Sequence, residues 1–159
     1  LMEGNEVLLG VIYEINLNEA FWAYQGSKSY LNGNPIRVST VNTVNDSLVA
    51  TGFPYYDYDR IVPFFKTMEH FMRNSHGVRR LGSAATDLAY VACGRFDAFY
   101  EYGLQPWDVA AGALIVHQAG GKVCDFSGEK NYIFGKEIIA TNSNVFSEFL
   151  GTIKGHMVK

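Results

Sequence analysis

"LQPWDVAAGALIVHQAGG", residues 104–121, brings in Pro106 at its third position, sets an acid at Asp108 and runs through small and apolar residues to Gly120 and Gly121. Proline suits the first turn of a helix, and a carboxylate there meets free amides and the positive end of the helix dipole. The stretch therefore predicts a helix that starts near Pro106 and stops at the glycines. Position alone makes Asp108 a charge that stabilises a helix start. Two features add to that. Trp107 is expected to shield the carboxylate from water, and "VAAGALIV" lets the helix pack closely with its N-terminus at a cleft. A partly buried carboxylate in such a place wants a cation.

Working outward, "FDAFYEY" (96–102) reads as a strand whose period of two puts Asp97, Phe99 and Glu101 on one face. The loop "YGLQP" brings Glu101 and Asp108 toward the same rim, while Asp97, deeper along the strand, reads as an ordinary cap or turn acid. "GSAATDLAYVACG" (82–94) reads as a helix closed by Gly94. Gly82 permits a tight turn, Ser83 can cap, and the amides of Ser83 and Ala84 can meet a phosphate or a hydroxyl. By itself this is a common capped helix start.

The remaining segments set the fold class. "LVATGF" (48–53) is a short buried strand. "DRIVPFFKTMEHFMRNS" (59–75) is a helix capped by Asp59, with Ile61, Phe64, Phe65, Met68, Phe71 and Met72 on one stripe. "VRRL", "KVCDF" (122–126) and "EIIATN" (137–142) are strands, and "SNVFSEFLGTI" (143–153) closes the chain as a helix. Strands alternating with helices from residue 48 predict a layered α/β sheet. Before it, "EVLLGVIYEI" (6–15) and "EAFWAYQG" (19–26) form a hairpin through "NLN", and "SYLNGNPIRVS" (29–39) adds a turn and a short strand. So few strands leave exposed edges and want neighbours. Residues 1–46 are thus expected to be strands of an antiparallel sheet, and 47–159 an α/β subdomain.

The totals narrow the function. A chain of 159 residues with 48% hydrophobic and 18% charged residues is long enough for one domain with a core of its own. A net charge of −3 with no basic stripe argues against a nucleic-acid partner; "RNSHGVRR" (73–80) reads as a helix end and a turn. Cys93 and Cys124 form no CxxC pair and read as buried free thiols of a reducing compartment. No apolar run reaches membrane-spanning length and no basic-then-apolar leader is present, which predicts a cytoplasmic protein with no membrane partner. His70, His76, His117 and His156 lack metal-ligand spacing and read as surface or packing residues. Asp57 and Asp59 read as turn and cap. No GxSxG elbow, P-loop or helix-opening GxGxxG occurs.

Taken together, "GSAATDLAYVACGRFDAFYEYGLQPWD" and "WDVAAGALIVHQAGG" resemble the C-terminal signature of the inositol monophosphatase family, including the spacing from Gly82 to Glu101 to Asp108. "GVIYEINLNEAFWAYQGSKSYLNGNPIRVS" and "LVATGFP" are similar to the strands before it; Gln118 departs from the family's usual Glu. The resemblance implies an αβαβα sandwich, here partial. It also implies a Mg²⁺-dependent, often lithium-sensitive, hydrolase of small phosphate monoesters such as inositol 1-phosphate, and a homo-oligomer. Carried over, Asp108 is a metal ligand that also touches a substrate hydroxyl, Glu101 binds a hydroxyl of the polyol, and Gly82, Ser83 and Ala84 line its pocket. The family's other metal ligands, a glutamate and an Asp-Pro-(Ile or Leu)-Asp-Gly-Thr motif, are absent, so the chain is expected to be the C-terminal part of such an enzyme and inactive alone. The alternatives are part of a bisphosphate nucleotidase or a fructose 1,6-bisphosphatase, or a noncatalytic assembly module.

Overall fold

Every residue of the strand Ala98–Tyr102 is buried, so its period of two serves two cores rather than a core and water. Ala98, Tyr100 and Tyr102 enter an apolar cluster with Phe64, Phe71 and Phe149. Phe99, facing the other way, enters a second with Leu88, Val109 and Ile115. The computed structural model describes residues 1–158, and these two clusters separate its layers.

In chain order the elements are β1 (Met2–Glu3), β2 (Glu6–Val7), β3 (Leu9–Glu14), β4 (Glu19–Tyr24), β5 (Ser29–Leu31), β6 (Asn34–Ile36), β7 (Leu48–Thr51), α1 (Ile61–Asn74), β8 (Gly77–Arg79), α2 (Ala84–Ala92), β9 (Ala98–Tyr102), α3 (Pro106–Gln118), β10 (Lys122–Cys124), β11 (Glu137–Thr141) and α4 (Phe146–Met157). The larger sheet runs β10-β11-β9-β7-β8, parallel where β7 meets β8 and β9 and antiparallel elsewhere. Helices α1 and α4 cover one of its faces through Phe64, Phe71, Phe149 and Ile153. Helices α2 and α3 cover the other, and on their far side lies the antiparallel sheet β3-β4-β5-β6, which adds Ile12, Phe21 and Ala23 to the same cluster. The order is sheet, helices, sheet, helices, the layered α/β class that the sequence predicts.

Two tethers hold the small sheet beyond apolar contact. Ser29 Oγ, buried, donates to Ile115 O of α3 at 2.6 Å. Arg95, just past α2, forks onto both carboxylate oxygens of Glu19 in β4 at 2.6 Å each. Two-pronged charge-assisted pairs exceed a lone surface pair. Arg95→Ala is therefore expected to cost about 1 kcal/mol in a urea titration, with the difference shrinking at high salt.

Three local expectations are corrected. Asp59 does not cap α1: the helix starts at Ile61, the residue before it is Arg60 with no side-chain cap, and the Asp59 amide instead donates to Asp57 Oδ1 at 3.1 Å. The buried stripe of α1 is narrower than its apolar residues suggest, for Phe64, Thr67 and Phe71 are buried while Phe65 and Met72 are 51% and 64% exposed. Asp97 is more than a turn acid. Its two oxygens accept from Ser39 Oγ and the Leu48 amide, and Asn142 donates its side-chain amide to Ser39 Oγ. That buried knot ties β7, β9 and the end of β11 to the linker after β6. Cys93 and Cys124 are free, as expected. No helix of the described residues is long and apolar enough to cross a membrane.

Candidate functional site

Residues 82–84, 101 and 108, read from the sequence as one constellation, line a single cavity of about 390 Å³. Three elements deliver them. β9 carries Glu101 to its C-terminal end, α2 presents its N-terminus, and α3 starts at the same rim.

Helix α2 begins where Gly82 takes φ +94°, a conformation that disfavours side chains. Ser83 is the cap, its Oγ accepting from the Thr86 amide at 3.4 Å. The amides of Ala84 and Ala85 have no partner within the helix, and both residues line the cavity. Ser83→Ala is expected to cost about 1 kcal/mol of stability, measured by chemical unfolding.

Asp108 closes its own helix with one oxygen and, among the described residues, leaves the other without a donor. Its Oδ2 accepts from the Gln105 amide at 2.8 Å, closing the first turn of α3. Among the described residues nothing donates to Oδ1, and the side chain is half-buried at the cavity wall. The shield expected from Trp107 is absent: the residue lines the cavity but is 78% exposed.

Glu101 is 6% exposed. Burial pushes its pKa up to about 8, with the charges of Asp87 and Asp108 adding to the rise and Arg80 opposing it. Room for this carboxylate is made by Gly52, just after β7, where a Cβ would lie 2.0 to 2.1 Å from its atoms. Any larger residue at 52 must displace Glu101.

Sequence reasoning passed over two neighbours of this group. Asp87, in the first turn of α2, is fully buried, and neither of its carboxylate oxygens has a hydrogen-bond partner. Burial lifts its pKa to about 7, partly offset by Arg80. The available signal was a lone acid inside the apolar run "AATDLAYVA". Arg80, read as part of a turn, lines the cavity, donates to the Tyr55 hydroxyl and lies 5.3 Å from the Phe53 ring centroid. It is the cation that partly balances the buried acids.

The donor set consists of hard oxygens, the type that Mg²⁺ prefers. It is incomplete. Among the described residues no three His, Cys, Asp or Glu side chains stand close enough together to hold one metal ion. By itself the cavity can receive a hydroxyl-bearing molecule, through the α2 amides and Glu101, and offer one oxygen of Asp108 to a cation completed from elsewhere.

The chain is similar to known proteins over nearly its whole length. The sequence profile of the inositol monophosphatase family matches residues 1–156. The Nus factor SuhB of Escherichia coli K12 is 40% identical over 149 residues, covering 94% of this chain and 56% of that protein. The crystal structure of extragenic suppressor protein suhB from Bartonella henselae superposes with a TM-score of 0.89 at 38% identity, over 94% of this chain and 57% of that one. Inositol monophosphatase from Anabaena sp. PCC 7120 follows with a TM-score of 0.87 at 37% identity, over 94% and 59%. The chain thus spans little more than half the length of the relatives it matches.

Proposed function

We propose, from the premise that this chain belongs to the inositol monophosphatase family, that it forms the polyol-binding half of a Mg²⁺-dependent phosphomonoesterase acting on inositol monophosphate or a similar small polyol phosphate. The observation that carries this reading is the convergence of Gly82, Ser83, Ala84, Glu101 and Asp108 on one cavity.

The roles follow from chemistry. The free amides at the start of α2 donate to a hydroxyl or phosphate oxygen. Glu101, which holds a proton near neutral pH, donates to a polyol hydroxyl oxygen, and accepts from it once a cation draws the proton away. Asp108, held by the Gln105 amide, turns its free oxygen toward a Mg²⁺ whose other carboxylates this chain does not supply. Residues 1–46 then belong to an antiparallel sheet that further chain completes, and 47–159 to the subdomain that carries the pocket. With one free ligand oxygen and no group to activate water, the chain alone has negligible turnover.

Phosphate release from inositol 1-phosphate with Mg²⁺ tests this on the 159-residue chain. No release above background is expected, together with chemical-shift changes at the Ser83 and Ala84 amides that are lost in Glu101→Ala. Mg²⁺-dependent release that vanishes in Asp108→Asn overturns the half-site reading, for it requires a complete metal centre here.

A second reading rests on a name. Relatives are called Nus factors, which favours a noncatalytic role in an assembly. In that case self-association or a protein partner uses the exposed Val11, Tyr13 and Tyr24 of the small sheet. Monomeric elution from a sizing column with no partner retained counts against it. The net charge of −3 disfavours direct contact with nucleic acid.

A further inference from the structure

Tyr56 and Trp107 are the two most exposed aromatic residues of the described chain, at 97% and 78%, and both line the cavity that holds Glu101 and Asp108. They come from separate elements, Tyr56 from the loop after β7 and Trp107 from the first turn of α3. Each stands on a held backbone. Tyr55 O accepts from the Tyr58 hydroxyl at 2.9 Å, a bond that spans Tyr56, and the Tyr55 hydroxyl accepts from Arg80. At the start of α3 the Asp108 amide donates to Gln105 O at 3.0 Å, and the Gln105 amide donates to Asp108 Oδ2 at 2.8 Å. Trp107 also borders an apolar groove with Leu9, Val11 and Ala111, but Tyr56 does not. What the two share is the cavity.

We propose that Tyr56 and Trp107 are specificity-determining residues that cover the apolar faces of a ring-shaped polyol, so that the cavity prefers a cyclic polyol phosphate to an open-chain one. The inference rests on the polyol reading above and adds to it the shape of the polyol.

The two kinds of lining suit the two kinds of surface on such a ring. Hydroxyls on its edge meet Glu101 and the amides of Ala84 and Ala85, all of which line the cavity. In a six-membered ring with mostly equatorial hydroxyls the C–H bonds point up and down, and each face is apolar. Covering such a face with an aromatic side chain removes apolar surface of both partners from water. Tyrosine and tryptophan offer that area on few rotatable bonds, so little entropy is lost in placing it. An open-chain polyol presents no fixed face and loses its internal rotations on binding. The cavity, at about 390 Å³, lies at the small end of the range for small-molecule sites.

The test is a magnetic-resonance titration of the 159-residue chain with myo-inositol 1-phosphate, sorbitol 6-phosphate and adenosine 5′-monophosphate, repeated on Tyr56→Ala and Trp107→Ala. A third variant, Trp22→Phe, leaves Trp107 as the only indole, so that its emission reports on the cavity without altering the residue in question. Both polyol esters are expected to shift the Ser83 and Ala84 amides, the inositol ester binding more tightly and alone changing the Trp107 emission. Either alanine variant is expected to keep the parent's melting temperature and to weaken the inositol ester about fivefold to tenfold, with the sorbitol ester within about twofold. Both polyol esters binding at the amides with neither variant weakening the inositol ester, or with both esters weakened alike, overturns the proposal and leaves the polyol reading standing. Absence of amide shifts with either polyol ester overturns both. Tighter, Trp107-dependent binding of adenosine 5′-monophosphate assigns the aromatic residues to a planar base and overturns the proposal as well.

Discussion

Asp87→Asn is expected to become progressively more stable relative to the parent chain as pH rises from 4 to 8, by up to about 4 kcal/mol across that range. The carboxyl of Asp87 is lifted from its ordinary 3.8 to about 7 by burial, with both oxygens unpartnered. The folded state therefore holds this proton more tightly than the unfolded state does. Its contribution to stability is whole below about pH 4 and is lost as pH climbs through 7. An amide cannot ionise, so the variant escapes that loss, while a constant penalty of about 1–3 kcal/mol for an unsatisfied buried amide applies at every pH. Glu101, raised from 4.5 to about 8, acts in the same direction in both proteins, and loses one source of its rise in the variant. Urea unfolding at pH 4, 6 and 8 decides the matter. Parallel stability curves for the two proteins would sink the burial account of Asp87.

Phe149→Ala is expected to cost about 3–5 kcal/mol. Its ring is fully buried, stacked on Phe71 at 4.5 Å and edge-on to Tyr100 at 6.1 Å. Neighbours from α1 and β9 cannot both collapse into the void, because each is held in a different layer. Phe65→Ala makes the comparison, since that ring is 51% exposed and its removal is expected to lie within about 0.5 kcal/mol of the parent. A denaturant titration in which the two variants shift alike would mean that α4 does not pack as described.

How much of this the sequence disclosed depended on whether a signal is local. Helix α3 was legible at both ends because Pro106, Asp108 and the paired glycines act on their own backbone. So was the gathering of residues 82–84, 101 and 108, which the spacing of a known family carries. Composition could not disclose direction. Trp107 and Phe65 are large and apolar, and both face water, since burial is decided by the layer opposite and not by the side chain itself. Asp87 was missed because an acid within an apolar helix is ordinarily the helix's wet face, and here that face meets the end of β9. Asp97 was half-read. It lies just before the strand rather than on it, and Ser39 and Asn142 reach it only through long-range packing.

The alternation along β9 binds two properties that otherwise look separate. Tyr100 and Tyr102 belong to the outer aromatic core, while Glu101 between them faces the cavity. Adding or removing one residue between Ala98 and Tyr102 would turn Glu101 into the aromatic core and a tyrosine into the pocket. The lining that this strand gives the cavity can change only by replacement in place, never by a change of length. A library meant to retune the pocket should hold this segment at five residues and take its insertions after Gly103, where the strand has ended.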